Sequence, residues 1–419
     1  MSLMLSLSWA GVLTASAFAS EPISGGGALS AEDAARAALR SPAAVAAAAD
    51  LTRAGIAARS AARPSDPVLS ADFSFTSDRW AAGLVQPVRF PGEGRAHRAA
   101  ARAGVDAAAL DLGALLLSVA ADARLRWAGA VVADASLSMG ARALGQASVR
   151  RRQAEARLAA GDAAPLEIRL ARITEAAIAA RVAALHNDAA EARLALAALV
   201  PGAGSARLPE DPLGAIPAAE GAGRRPDVGA ASARLEQAEA ARRAAPALLS
   251  PIGIGVLVEQ ESGGWSVGPA LTFSLPLRGD AAMASGIAAA DLEVAAAEFD
   301  AANARADAEQ RIRSLTAAEA ARLLAGVHPD VPGEAAAALS AIDGAEARGE
   351  LDAALAAVLR GEVLDSALEA MRLRLEVVRA RILELHAWAD PALIPADVRP
   401  AGMERAIGAP GSAGAGVSP

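Results

Sequence analysis

Few side chains in this chain could do chemistry, and they are scattered. There is no cysteine, which removes thiolate nucleophiles, disulfides, iron–sulfur clusters and Cys-ligated zinc. The four histidines, His97, His186, His328 and His386, stand far apart. They read as helix-surface residues rather than as a metal cage or a catalytic base. No Gly-rich phosphate loop, HExxH or Gly-x-Ser-x-Gly occurs. The expectation is a protein that is not an enzyme, with no catalytic residue, no cofactor and no metal. Most carboxylates read as solvated faces or as i,i+4 partners of Arg. One group stands apart: Asp162 and Glu167 beside Gly161, and Glu350 and Asp352 beside Gly349. Repeated around a symmetric assembly, they would form rings that attract cations and repel anions. The plainer role for the same residues is to cap helix N-termini.

The elements that would carry these turns follow from composition. Hydrophobic residues make up 53% of the 419, yet aromatics are only 3% and Tyr is absent. Alanine supplies most of the apolar count. Such a chain cannot build a thick aromatic core, but it can build long helices that approach closely. A net charge of -8 argues against nucleic acid as a partner. Leu3–Ala19 is largely apolar and ends in Ala17-Phe18-Ala19, so residues 1–19 are expected to be an export signal, although no Lys or Arg precedes them. Residues 20–29 are expected to be flexible. No later run is apolar and uninterrupted enough to predict a transmembrane helix.

The chain repeats. A shift of 184 aligns Pro42 with Pro226 and Pro67 with Pro251, and a shift of 185 aligns Trp80 with Trp265. A shift of 188 aligns Gly161 with Gly349, Asp162 with Glu350 and Arg193 with Arg381. Two copies of one unit are expected, 30–200 and 224–390, joined by a Gly/Pro-rich linker, 201–223. A disordered C-terminal tail is expected over 391–419.

Each unit reads as a helix, two strands, a very long helix and a return helix. In the second copy Trp265, Val267, Pro269, Leu271 and Phe273 alternate with Ser266, Gly268, Ala270 and Thr272. Ile252, Ile254, Val256 and Val258 alternate with smaller residues before a Gly263-Gly264 turn. In the first copy Trp80, Ala82, Leu84, Val88 and Phe90 share a face, with Gln86 as its exception. Glu93–Leu158 lacks Pro and would be a helix of roughly 95–100 Å, longer than a compact domain holds. The second copy has an added break at His328-Pro329-Asp330-Val331-Pro332.

At this point the residues resemble the TolC-like outer-membrane efflux channel family, the outer membrane factors. Gln86-Pro87-Val88-Arg89-Phe90-Pro91-Gly92 resembles the family's barrel-to-helix junction, with Pro87 and Gly92 as its markers. Pro276 in Leu275-Pro276-Leu277 would mark the second junction. Arg225-Pro226-Asp227 resembles the opening of the second repeat, and Gly161-Asp162-Ala163-Ala164-Pro165-Leu166-Glu167 the family's helix turn. The resemblance covers about residues 28–390, and the junction is most similar to the heavy-metal efflux branch. The chain departs from the family pattern in lacking Tyr and in its second-copy break.

The resemblance implies a mainly α fold with a small β portion: long α-barrel hairpins and four strands per chain. In a homotrimer these strands would make a twelve-stranded transmembrane β-barrel in outer-membrane lipid. Trp80 and Trp265 would then suit the membrane interface, with ordinary packing as the alternative. The implied function is an outer-membrane exit duct with a large periplasmic portion, served by a periplasmic adaptor and an inner-membrane pump. The helix turns, with Asp162, Glu167, Glu350 and Asp352, would form its periplasmic gate. The competing reading is a soluble periplasmic coiled-coil scaffold or adaptor, which would have no need of a hairpin with one large apolar face.

Overall fold

The computed structural model describes residues 28–63, 68–74, 79–88, 91–209, 211–221, 223, 225–245, 252–261, 264–273, 280–326, 330–395 and 397. The expected signal at 1–19, the second-junction marker Pro276, and His328 and Pro329 lie outside them. Proline and glycine set the boundaries of the helices. Pro42, Pro91, Pro165 and Pro226 each open a helix: α2 Pro42–Ala62, α3 Pro91–Ala159, α4 Pro165–Leu199 and α5 Pro226–Ala244, after a short α1 Ala31–Ala38. The second long stretch is α6 Asp280–Leu324 followed by α7 Val331–Ala347, and it returns as α8 Ala353–Ala387. The break expected there is real: Asp330 caps the new helix by accepting from the Gly333 amide at 2.9 Å. The strands are β1 Val68–Ser74, β2 Arg79–Val88, β3 Ile252–Glu261 and β4 Gly264–Phe273.

The described residues fall into two compact units. One lies in Val45–Ala114 and Arg224–Asp307, the other in Ala17–Ala44, Leu115–Gly223 and Ala308–Pro419. The first unit holds the sheet, an antiparallel meander in the order β1-β2-β3-β4. Its register puts Leu69, Leu84, Val256 and Pro269 in one row. Ala71, Ala82, Val258 and Val267 make a second row on the same face, and Gln86, Ile254 and Leu271 a third. Rows of Ser70, Gly83, Leu257 and Gly268, and of Val68, Val85, Gly255 and Ala270, make the other face. A Cβ at Gly255 would stand 2.1 Å from the Leu84 carbonyl oxygen, so the approach of β2 to β3 requires glycine there.

In the second unit the return helices pack on the long ones. Val132, Met139, Leu185, Leu364, Leu368 and Met371 form one core with Ala135, Ala143 and Ala367 between them. Gly140 lets α4 come close: a Cβ there would lie 2.9 Å from Leu185 Cδ1. α3 has a stretch long and apolar enough to cross a membrane, with mean hydropathy 1.6. The sequence reading expects no such helix. Leu117, Trp127 and Val131 of α3 are nevertheless fully buried within the protein.

The chain ends in this unit are ordered further than composition suggests. Within the expected flexible segment, Leu29 is buried, and its carbonyl accepts from Trp127 Nε1 at 2.8 Å. Within the expected tail, Leu393 and Ile394 are fully buried after a 3-10 turn at Pro391–Leu393. The buried Asp390 carboxylate accepts from the amides of Glu220, Gly221 and Ala392. Packing of a few leucines and one satisfied carboxylate fixes a segment that looks like a linker in composition.

Candidate functional site

Two surfaces can serve a function: the apolar face of the sheet and the helix turns. On the sheet, Leu69, Leu84, Ile254, Val256, Val267 and Leu271 are all exposed, Val267 at 71%. A soluble sheet hides its large residues and shows its polar ones to water. Here the large residues of one face are exposed, while on the other face Gly83 and Gly253 are buried, Gly268 and Ala270 half-buried and the small Ser266 exposed. Among the described residues nothing pairs with the outer edge of β1 or of β4. Trp80 and Trp265 both pair with Gln260, one from each side, so the two positions fall in one row of the sheet with Gln260 between them. Pro87 pairs with Gly253 near the end of β2, and Gly92 lies in the first turn of α3.

The helix turns are built alike. Gly161 has φ 82° and Gly349 φ 75°, the left-handed conformation that glycine adopts freely. The Asp162 amide donates to the Arg157 carbonyl at 2.8 Å and the Gly161 amide to Leu158 at 2.9 Å. The Glu350 amide donates to Ala345 at 2.9 Å and the Gly349 amide to Glu346 at 3.0 Å. Both are Schellman endings, which satisfy the last carbonyls of α3 and α7.

The four acidic residues expected to act together have different partners. Asp352 caps α8, accepting from the Leu355 amide at 2.7 Å. Glu350 holds Arg348 through two hydrogen bonds, 2.6 and 2.9 Å, and this partner keeps its carboxyl below the usual glutamate range. Glu167 is half-buried and lies 3.4 Å from Arg157. Asp162 is exposed, and among the described residues no side chain pairs with its carboxylate.

The strongest electrostatic feature of this region is one the sequence reading misses. Arg150 of α3 pairs with Asp343 of α7, while Arg360 of α8 pairs with Asp343 at 3.3 Å and with Glu346. The four residues line a cleft of about 1230 Å³, together with Arg157 and Glu167. Burial raises the Glu346 carboxyl above its usual value, against the attraction of Arg150 and Arg157, and burial lowers the Arg150 guanidinium. Nothing in the spacing of 150, 343, 346 and 360 announces a cluster, because packing of three helices brings them together.

His97 lies 3.7 Å from Glu93 and His186 is exposed on α4. Among the described residues no three His, Asp or Glu are placed to hold a metal.

No family model matches the sequence, and no curated protein matches it. Solved structures do. The outer membrane protein VceC of Vibrio cholerae superposes with a TM-score of 0.69 at 20% identity, over 86% of this chain and 96% of that one. The Campylobacter jejuni CmeC outer membrane channel gives 0.68 at 15%, over 90% and 91%. The Neisseria gonorrhoeae MtrE outer membrane channel, in an open state, gives 0.62 at 18%, over 85% and 88%. At these identities the likeness is one of fold, and the chain has the fold of the TolC-like outer membrane factors.

Proposed function

We propose that this protein is the outer-membrane exit duct of a tripartite efflux or secretion system, passing its cargo from periplasm to exterior without chemistry. The observation that carries this reading is the four-stranded sheet with a large apolar face exposed and, among the described residues, no strand paired to either edge. Lipid cannot satisfy an open strand edge, so such a sheet must close on further strands. A meander of four has its first and last strands antiparallel. β4 of one copy can therefore pair antiparallel with β1 of the next, and rotation completes the barrel. Three copies supply about twelve strands, enough for an aqueous lumen. Trp80 and Trp265 would then sit at a membrane interface.

The two repeats, 30–200 and 224–390 with their linker 201–223, would continue as helical hairpins in the periplasm. Their turns at Gly161 and Gly349 would form the entrance, gated by residues beside them and opened on docking with an adaptor and an inner-membrane pump. A soluble scaffold has no use for the exposed sheet face, and nothing supports that alternative. The test is membrane fractionation followed by mass measurement in mild detergent. The expected result is an outer-membrane trimer; a soluble monomer overturns the proposal.

A further inference from the structure

We infer that Pro269 fixes the register in which β4 of one copy closes on β1 of the next: Leu271 beside Phe73 and Phe273 beside Ala71, with Pro269 just past the last residue of β1. The inference rests on the trimeric barrel proposed above. It adds the register of that closure and the residue that sets it.

Proline has no amide hydrogen, so the side to which its nitrogen points decides what it costs a sheet. In an antiparallel pair, directly opposed residues alternate between two kinds. One kind exchanges hydrogen bonds, and the other turns its amides and carbonyls away. Only two positions, 262 and 263, separate Glu261 from Gly264, which are paired. The pair that closes a two-residue loop is a hydrogen-bonded one. Counting back by twos, Leu257–Gly268 and Gly255–Ala270 are hydrogen-bonded pairs, and Val256–Pro269 is not. The Pro269 nitrogen therefore points away from β3, to the outer edge of β4. Trp265, Val267, Leu271 and Phe273 turn their backbone groups to the same edge. The same count carried across β2 turns the groups of Leu69, Ala71 and Phe73 to the outer edge of β1.

The chain itself shows how such a proline is accommodated. On the same count Pro87 turns its nitrogen toward β1 while it pairs with Gly253 of β3. Among the described residues the β1–β2 ladder ends at Val68–Val85, so Pro87 falls one step past it. The closure between copies needs the same solution, because lipid leaves an unpaired carbonyl unsatisfied. A continuous apolar face allows only even slips. The row Leu69–Leu84–Val256–Pro269, carried straight on, would set Pro269 against Leu69 of the next copy. Slips of two and four residues would set it against Ala71 and Phe73. A slip of six takes it past Ser74, the last residue of β1, and gives the stagger that tilted barrel strands require. A slip of the opposite sense would carry Phe73 beyond Gly264, where β4 begins. In the proposed sense Leu69 falls opposite position 275, and the alternation of β4 runs on in the sequence as Ser274, Leu275, Pro276 and Leu277.

The chain has no cysteine, so introduced cysteines report without background. In the proposed register Asp72 and Thr272 of neighbouring copies form a non-hydrogen-bonded pair, with Cα atoms about 4.5 Å apart and within disulfide reach. Asp72→Cys with Thr272→Cys should give covalent dimer and trimer on a denaturing gel under mild oxidant. Asp72→Cys with Ala270→Cys, or with Ser266→Cys, should run chiefly as monomer. Moving the proline should agree. Leu271→Pro puts the missing donor against β1 and should lose the oligomer, whereas Val267→Pro, on the same edge but beyond β1, should keep it. Pro269→Ala restores a donor, and in that background Asp72→Cys should begin to link to Ala270→Cys as well. A trimeric parent that links best through Ala270→Cys or Ser266→Cys, or through none of the three pairs, overturns the register and leaves the trimer standing. So does an oligomer that survives Leu271→Pro. A linking pattern unchanged by Pro269→Ala overturns the role of Pro269. A parent that is monomeric in detergent overturns the trimeric reading, and the register with it.

Discussion

Arg172 reaches back 17 residues to Glu155 at 3.0 Å, across the turn at Gly161. Its counterpart one repeat on, Arg360, reaches back 17 residues to Asp343 at 3.3 Å across the turn at Gly349. The two pairs share their geometry and differ in setting. The Arg172 side chain is 64% exposed and that of Arg360 only 8%. Around Arg360, Arg150 and Glu346 complete a partly buried cluster, while around Arg172 the more exposed Arg151 joins Glu155 to Glu175.

The difference predicts unequal costs. Exposed pairs contribute little, so Arg172→Met should change stability by less than about 1 kcal/mol. Removing Arg360 leaves Asp343 and Glu346 with Arg150, and Glu346 with the attraction of Arg157, in a partly buried site, and Arg360→Met should destabilise by roughly 2–4 kcal/mol. Denaturant unfolding of the two variants side by side checks this. Equal losses would mean that the cluster contributes no more than a surface pair does.

Ion selectivity should depend on Asp162 more than on the acidic residues of the second turn. The charge of Glu350 is offset by Arg348, and that of Asp352 by the N-terminus of α8. Asp162 is exposed on its turn without such a partner among the described residues. Asp162→Asn should lower cation preference and block by multivalent cations in planar bilayers. Glu350→Gln should change them less, and Asp352→Ala should chiefly weaken its helix start, by about 1 kcal/mol. Selectivity that survives Asp162→Asn but collapses with Glu350→Gln reverses the assignment.

Much of this fold is legible in the sequence because local rules set its boundaries. Pro165 and Pro226 open helices, Gly161 and Gly349 end them, and strict alternation from Trp265 to Phe273 fixes a strand with one apolar face. The cluster of Arg150, Asp343, Glu346 and Arg360 was not legible, since it depends on which faces of three helices meet. Nor was the burial of Ile394, or of Leu29, whose hydrogen-bond partners Trp127 and Arg207 are distant in the sequence. Gly255 read as one small residue among several; only the distance to Leu84 shows that nothing larger fits.

That distance yields a prediction about assembly. Gly255→Ala puts a methyl group against backbone, which cannot turn aside, so β2 and β3 must part. Gly268 lies on the same face with nothing within 4 Å of a Cβ, and Gly268→Ala should be tolerated. Heat-resistant oligomer on a gel is a sufficient readout. Normal assembly of Gly255→Ala would show that the strands meet differently.

The orientation of the sheet gives the sharpest test of the membrane reading. Leu271 pairs with Ile254, and both are exposed on the apolar face. Thr272 pairs with Gly253, which places it on the opposite face. If the apolar face meets lipid, an arginine at 271 must enter hydrocarbon or drag water in with it. Near mid-membrane that costs about 2–4 kcal/mol, while a lumen position leaves the charge hydrated. Leu271→Arg should therefore lower the yield of folded outer-membrane oligomer, and Thr272→Arg should assemble and alter conductance. In a soluble scaffold the order reverses. There Leu271→Arg adds a charge to an already exposed surface and costs little, and it should if anything raise solubility. A Leu271→Arg variant that assembles normally beside a failing Thr272→Arg variant would show that the apolar face does not meet lipid.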